Sequence, residues 1–167
     1  PKHKRKAHKQ KNWDNEIPTK EYFQELFRVS KNQIIWGANY FVEYLNNGSM
    51  GWIVWDKGQH GLSMSDCELA YSSFQKASRI YTINRCLIAQ NGGSIHPTQK
   101  PVALYKWLLD KYAKQGYKIL DTHGGSCSLA IACHDYGFEL TACELDKEYY
   151  DKAVKRIKNH ISQQKLF

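Results

Sequence analysis

The segment between residues 117 and 144 constrains the fold of this 167-residue chain more than any other. A short apolar run ends on Asp121, the turn THGGS follows, and a helical stretch leads to a second apolar run that ends on Glu144. Adjacent glycines tolerate the dihedral angles of a sharp turn and leave room for a ligand close to the backbone. This order of strand, turn, helix and strand predicts an α/β fold, with a mostly parallel sheet and helices on both faces.

The two acids that end these strands indicate the class of ligand. Glu144, which follows Asp121 by 23 positions, can accept hydrogen bonds from ribose hydroxyls. The dinucleotide fingerprint G-x-G-x-x-G is absent, because Gly124 and Gly125 are followed by SCS. Since the turn itself carries a carboxylate, a cationic adenosine ligand without phosphates fits better than a pyrophosphate. S-adenosylmethionine (SAM) is therefore the predicted cofactor, and a nicotinamide-dependent oxidoreductase is an alternative that the missing fingerprint weakens.

Hydrophobic periodicity predicts the remaining elements. A first helix is expected after Thr19, and short apolar runs predict four strands in the first half, at about 33–37, 52–55, 68–74 and 79–83. A helix is expected to begin at Pro101, with an apolar face formed by Leu104, Leu108, Leu109 and Tyr112. The last helix is predicted over about residues 147–163, with an apolar stripe formed by Tyr150, Val154, Ile157 and Ile161.

The charge of the chain is concentrated at its start. Lys and Arg number 24 against 16 Asp and Glu, for a net charge of +8. Residues 1–12 contain six basic residues and no acid, and without those six the chain has 18 basic against 16 acidic residues, a net charge of +2. Such a run attracts polyanions, although a solvated tail has the same composition.

Composition excludes several other classes of protein. With 42% hydrophobic residues the chain can bury a core, and no apolar stretch is long enough for a membrane span. The five cysteines form no C-x-x-C pair, so neither a disulfide framework nor a metal site is predicted. A reducing cytoplasm is therefore the expected compartment.

The segment HPTQKP at residues 96–101, taken with the turn that follows it, is highly specific. HPTQKPVALYKWLL, KILDTHGGSCSLAIACHDYG and LTACELDKEYYDKAVKRI occur in this order. Upstream lie KNWDNEIP, EYFQELFRVSKNQIIWGANYF and GWIVWDKG. Over about residues 10–160 the chain resembles the amino-group DNA methyltransferases, in the arm of that family whose cofactor half follows the catalytic half. The resemblance implies a Rossmann-like SAM-dependent methyltransferase fold.

The resemblance also implies roles for individual residues. Asp121 would lie near the methionine portion of SAM, Gly125 and Ser126 would form the turn of close approach, and Glu144 would bind the ribose. The implied cofactor-binding residues are His96, Pro97, Thr98, Gln99, Lys100, Asp121, Thr122, His123, Gly124, Gly125, Ser126, Glu144 and Leu145. The turn departs from the family pattern, because THG replaces P-F-x and CS replaces G-T. His123 therefore either stacks on a cofactor edge or faces solvent.

The family's catalytic tetrapeptide, D/N/S-P-P-Y/F/W, is absent from this sequence. The four prolines of the chain include no adjacent pair, and by family order the motif is expected upstream of Pro1, in an N-terminally truncated chain. The resemblance implies direct transfer of the SAM methyl group to the exocyclic amino group of adenine in double-stranded DNA. Cytosine as the target, and a catalytically inactive DNA-binding remnant, are the alternatives.

The predicted domain organisation is a flexible basic segment at 1–12 and a single methyltransferase domain at 13–167. That domain would comprise a catalytic, DNA-facing half at 13–89 and a cofactor-binding half at 90–167. Basic side chains that contact phosphates position a protein on DNA without reading its sequence. The predicted DNA contacts are Lys2, Lys4, Arg5, Lys6, Lys9, Lys11, Lys57, Arg79 and Arg85.

Overall fold

The computed structural model of the chain describes residues 17–45, 48–84 and 93–163. The chain divides into two compact units, of which the first ends at Asn84 and the second begins at Arg85. This boundary lies five residues before the predicted division between the catalytic and cofactor halves. That residues 13–167 form a single domain stays a prediction.

Within its described residues, the first unit has one α-helix and four strands. Helix α1 spans Lys20–Val29, and two short 3-10 turns follow the first strand, at Ala38–Tyr40 and Val42–Tyr44. The strands span Ile34–Trp36 (β1), Gly51–Asp56 (β2), Cys67–Ser72 (β3) and Arg79–Thr82 (β4). Each of the four predicted apolar runs thus overlaps a strand.

Helix α1 begins and packs as its sequence predicts. The Thr19 side chain caps its N-terminus by accepting a hydrogen bond from the backbone N–H of Tyr22, at 3.4 Å. Phe23, 2% exposed, lies with its ring centroid 5.0 Å from that of Phe41 and 5.3 Å from that of Tyr44. These aromatic contacts hold the apolar face of α1 against the segment that follows β1.

The sheet of the first unit is mixed, in contrast to the predicted parallel arrangement. Its strand order is β1-β3-β2-β4; β3 runs antiparallel to both β1 and β2, whereas β4 runs parallel to β2. The connection between β2 and β3, residues 57–66, is too short for the helical crossover that parallel neighbours need. The predicted parallel character is therefore only partly present in this unit, in the pairing of β2 with β4.

The second unit alternates helices and strands as predicted. Helix α2 spans Val102–Tyr112, and β5 (Lys118–Asp121), α3 (Ser128–Tyr136), β6 (Glu139–Ala142) and α4 (Lys147–Ser162) follow. Strands β5 and β6 pair in parallel, so that their carboxyl ends, Asp121 and Ala142, lie side by side. Leu109 of α2 and Ala132 and Cys133 of α3 form a buried cluster against which both strands pack. The four predicted core residues of α2 are all buried.

Helix α4 buries a different face from the predicted one. Tyr149 and Ala153 are its buried residues, whereas Tyr150 and Ile161 are 48% and 52% exposed. The other two residues of the predicted stripe, Val154 and Ile157, are half-buried, so the buried face is displaced by about one residue from the predicted stripe.

The described cysteines, Cys67, Cys127, Cys133 and Cys143, are free thiols. Burial raises the pKa of Cys127 and of Cys133 to about 11, which keeps both protonated at neutral pH. Across the three described ranges, no helix is both long and apolar enough to cross a membrane.

Candidate functional site

The loop between β5 and α3 is held to the end of β6 by backbone hydrogen bonds. The N–H of Cys143 donates to the carbonyl of Asp121 at 2.8 Å, and the N–H of Gly124 donates to the carbonyl of Cys143 at 2.7 Å. Within the loop, the N–H of Cys127 donates to the carbonyl of Gly124 at 2.6 Å. The loop and the carboxyl ends of both parallel strands therefore form one surface, where ligands bind in folds of this kind.

The close approach of the loop to β6 disfavours a side chain at position 124. A Cβ atom at Gly124 would lie 3.0 Å from Cys127 Sγ and 3.1 Å from the carbonyl oxygen of Cys143. The carbonyl of Cys143 accepts the hydrogen bond from Gly124, so it cannot move away without disturbing that bond, whereas the Cys127 thiol would have to shift by a few tenths of an ångström. The next glycine, Gly125, adopts a left-handed φ of 52°, which glycine adopts without strain.

Glu144 is tied to the loop through both carboxylate oxygens. The N–H of Gly125 donates to Oε2 at 2.7 Å, and the N–H of Asp146 donates to Oε1 at 2.8 Å. Each carboxylate oxygen can accept more than one hydrogen bond, so the group retains capacity for the hydroxyls of a ligand. The two backbone donors fix the orientation of the carboxylate before any ligand arrives.

Asp121 is a carboxylate in surroundings that disfavour its charge. Burial raises the pKa of Asp121 above its ordinary value; the charge of Glu144 acts in the same direction, whereas a hydrogen bond from the N–H of His123 and the charges of His123 and Lys100 act against it. That hydrogen bond is 3.2 Å long. A cation bound beside Asp121 would be favoured, because its positive charge would stabilise a carboxylate that burial has separated from water.

The segment 96–100 lies against the glycine loop. His96 is 6% exposed, and its ring atoms lie 3.5 Å from where a Cβ atom of Gly125 would stand. The Thr98 hydroxyl lies 3.1 Å from Nδ1 of His96, and the buried side chain of Gln99 accepts a hydrogen bond from the N–H of Ile95 at 3.0 Å. The two sequence-predicted segments, far apart along the chain, therefore meet at one site.

The other predicted cofactor residues lie around these groups. The hydroxyl of Thr122 is 3.0 Å from Nδ1 of the exposed His123. Leu145, beside Glu144, is 97% exposed, and Pro97 is also exposed, whereas Ser126 is buried.

Two residues of α4 contact the site and were missed by the sequence analysis. Arg156 Nη1 donates to the carbonyl oxygen of Ser126 at 2.8 Å and to Oγ of Ser128 at 3.0 Å. The ring of Tyr149 packs edge-on against that of His96, with 4.4 Å between centroids. Helical spacing from the N-cap Asp146 places both on one face, but their partners lie too far away in sequence for a local pattern to reveal them.

The predicted DNA contacts fall into different surroundings. Lys57 is 9% exposed, with its ammonium 3.2 Å from Glu68 Oε1 and 5.7 Å from the centroid of the Trp55 ring. These contacts give Lys57 a structural role within the sheet. Arg79 is exposed at the start of β4. The residues outside the described ranges, for which contact with DNA likewise stays a prediction, are Lys2, Lys4, Arg5, Lys6, Lys9, Lys11 and Arg85.

The sequence of the chain is similar to those of known DNA methylases. The profile of the DNA methylase family N6_N4_Mtase matches residues 2–155. The type II methyltransferase M.HpaI of Haemophilus parainfluenzae is 34% identical over 62 residues, which are 37% of this chain and 20% of that protein. The matched stretch thus spans about a fifth of the length of that relative.

Two solved structures are similar in fold. The M1.HpyAVI–SAM complex superimposes with a TM-score of 0.65 at 17% identity, covering 83% of this chain and 81% of that one. A protein of Thermus thermophilus, assigned as a DNA modification methylase and crystallised with S-adenosyl-L-methionine, gives a TM-score of 0.60 at 16% identity, covering 86% and 76%. At these identities the likeness concerns the fold alone, and it confirms the predicted Rossmann-like methyltransferase fold.

Proposed function

This chain belongs to the DNA methylase family N6_N4_Mtase, and on that premise we propose that it binds S-adenosylmethionine at the loop between β5 and α3 for methyl transfer to DNA. The observation that carries the proposal is the pair of acids at the ends of β5 and β6. Asp121 lacks full solvation of its charge, and the Glu144 carboxylate is oriented by two backbone N–H groups.

The two acids suit the two ends of SAM. Asp121, at the glycine loop, would face the sulfonium and ammonium groups, because a positive charge compensates a poorly solvated carboxylate. Glu144 would accept hydrogen bonds from the ribose hydroxyls. The 97% exposed side chain of Leu145 offers an apolar surface to the adenine ring beside the ribose. The segment 96–100 would border the amino-acid end of the cofactor.

The reaction proposed for the whole protein is transfer of the SAM methyl group to the exocyclic amino group of adenine in double-stranded DNA. In this transfer the methyl group would pass from the sulfonium sulfur of SAM to the amine nitrogen, S-adenosylhomocysteine would be the product of the cofactor, and the proton lost by the amine would pass to solvent. Orientation and hydrogen bonding to the target amine would supply most of the rate enhancement. Cytosine, whose exocyclic amine presents the same chemistry, is the alternative target.

Cofactor binding is tested by titration calorimetry of the chain with SAM. We expect one binding site, and we expect Glu144→Ala to weaken binding at least tenfold, since hydrogen bonds to a charged group are lost. The matched control is Glu139→Ala, which removes an exposed carboxylate of β6 outside the loop. Equal affinities of the wild type and Glu144→Ala would exclude the proposed ribose contact, and heat changes with NADH but not with SAM would favour the oxidoreductase.

Methyl transfer is tested by incubating the whole protein with tritiated SAM and duplex DNA. Analysis of the nucleosides then distinguishes N6-methyladenine from N4-methylcytosine. An inactive DNA-binding remnant would bind DNA in a salt-sensitive manner but would neither bind SAM nor incorporate label.

A further inference from the structure

The first turn of α3 begins at a strained residue. Cys127, the position that precedes the helix, has φ 51° and ψ 39°, and its side chain caps none of the helix N–H groups. Within the described part of the chain it is the one non-glycine residue with positive φ. A left-handed conformation costs an L-residue about 1–2 kcal/mol and persists only where surrounding contacts enforce it.

Arg156 makes contacts on both sides of that residue. A single nitrogen, Nη1, donates to the carbonyl oxygen of Ser126 and to the hydroxyl of Ser128, the neighbours of Cys127 before and after it. The two serine hydroxyls lie 3.1 Å apart. The guanidinium of α4 therefore bridges the strained position and joins the loop to the first turn of α3.

The stability of the fold alone does not explain why a positively charged side chain lies at the start of α3. Burial lowers the pKa of Arg156, which means that the charge is poorly solvated. Helix N-termini disfavour positive charge, and within the described ranges no carboxylate pairs with this guanidinium. The hydrogen bonds to Ser126 and Ser128 therefore best explain why the Arg156 guanidinium lies there.

The bridged segment continues directly into the cofactor site. Ser126 follows Gly125, whose N–H holds the carboxylate of Glu144. On the same helix, Tyr149 packs against His96 of the second cofactor segment. One face of α4 thus supports both segments at which SAM is proposed to bind.

We propose that Arg156 is a positioning residue, which holds Cys127 in its left-handed conformation and thereby sets the loop 124–128 for SAM. The inference rests on the proposed function for its ligand. Without the guanidinium, Cys127 relaxes towards an ordinary φ, the Gly125 N–H moves away from Glu144, and the loop must reorder each time the cofactor binds.

The test uses three variants of the full chain, measured by SAM calorimetry and by hydrogen exchange without SAM. Arg156→Met keeps an unbranched apolar side chain, although a shorter one, and removes the donors. We expect the Kd for SAM to rise at least tenfold, since two hydrogen bonds from a charged group are lost. Amide exchange is expected to accelerate at 124–128 while α2 and β5 remain protected. Lys158→Met, at an exposed position of the same helix, is the matched control and should leave both readouts unchanged.

A substitution that relieves the backbone strain at residue 127 provides a second, independent measurement. Cys127→Gly adopts the left-handed conformation without cost, so adding it to Arg156→Met should recover most of the lost SAM affinity and of the amide protection at 124–128. A purely structural role for Arg156 predicts no such recovery.

The outcomes separate the positioning role from the proposed function. Wild-type affinity in Arg156→Met, or accelerated exchange throughout the second unit with no rescue by Cys127→Gly, would overturn the positioning role. If the wild type itself fails to bind SAM, the proposed function is wrong, and hydrogen exchange at 124–128 alone decides whether Arg156 orders the loop.

Discussion

At the scale of single residues, the two acids that end neighbouring strands differ in their surroundings. Asp121 has a raised pKa because it is buried, whereas Glu144 accepts two backbone hydrogen bonds. Both sit beside a loop that closes onto β6 at Gly124, where a Cβ atom would lie only 3.0 Å from Cys127 Sγ and 3.1 Å from the Cys143 carbonyl oxygen. The geometry of both acids therefore depends on a residue that carries no functional group.

Substitution of Gly124 by alanine tests this dependence. We expect Gly124→Ala to lower the free energy of unfolding by about 1–3 kcal/mol, the usual cost of forcing a methyl group into a packed site, and to weaken SAM binding because the loop must move away from β6. Gly48→Ala is the control, since a Cβ at that exposed position meets nothing within 4 Å. Urea denaturation provides the measurement, and equal stability of both variants would contradict the steric argument.

At the scale of elements, the three helices of the second unit are joined at Asp135. Its carboxylate oxygens lie 2.6 Å from Lys106 Nζ of α2 and 2.7 Å from His160 Nε2 of α4, and the side chain is 11% exposed. Burial acts to raise the pKa of Asp135, but the hydrogen bonds and charges of His160 and Lys106 outweigh it, so the pKa is lowered. This junction holds α4 in the orientation that brings Arg156 to the loop.

The lowered pKa predicts a stability effect with a defined sign. A carboxyl group whose pKa is lower in the folded than in the unfolded protein stabilises the fold at pH values above its ordinary pKa of 3.8. That stabilisation is lost as the pH falls through the lower pKa of the folded state. Asp135→Asn should therefore lower the free energy of unfolding by about 1–3 kcal/mol at pH 7, with the difference from the wild type shrinking below about pH 4.

Thermal or urea unfolding from pH 3 to pH 7 measures this difference. Asp151→Asn is the matched control, because Asp151 makes an exposed ion pair within α4, and such pairs contribute little to stability. A pH-independent difference for Asp135→Asn would show that its charge is not the source of the effect.

At the scale of the whole molecule, the positive charge and the cofactor site lie in different parts of the chain. Six of the 24 basic residues fall within residues 1–12, whereas the paired acids and the glycine loop belong to the second unit. Neutralised phosphates release counterions, so the contribution of a basic segment to DNA binding is measured by its salt dependence.

Two triple variants with the same change in net charge separate a local contact from a general electrostatic attraction. Replacing Lys2, Lys4 and Lys6 by Gln should reduce the slope of log K against log salt for duplex DNA by up to about 3, at roughly 0.9 per phosphate contact. Replacing the exposed Lys114, Lys155 and Lys158 by Gln should change it far less. Equal reductions would mean that the segment 1–12 contributes only net charge.

The second half of the chain was predictable because its signals are local. Helix α2 buries the four residues that its hydrophobic periodicity predicts. The apolar run that ends on Asp121 and the adjacent glycines likewise predict where β5 and the loop lie. The strands of the first half were also recognisable from short apolar runs. Their pairing was not, because strand register and direction depend on contacts between residues distant in sequence.

The sequence by itself thus determined the family, the order of elements in the second unit, and the acids and glycines of the candidate site. Each of these depends on residues that are close together in the sequence. Only the tertiary structure decided that the sheet of the first unit is mixed, that Lys57 is buried beside Glu68, and that α4 turns Tyr149 and Arg156 towards the site. The physical reason is that a buried polar side chain takes the partner that packing brings to it, and packing is settled by the whole unit rather than by any local pattern.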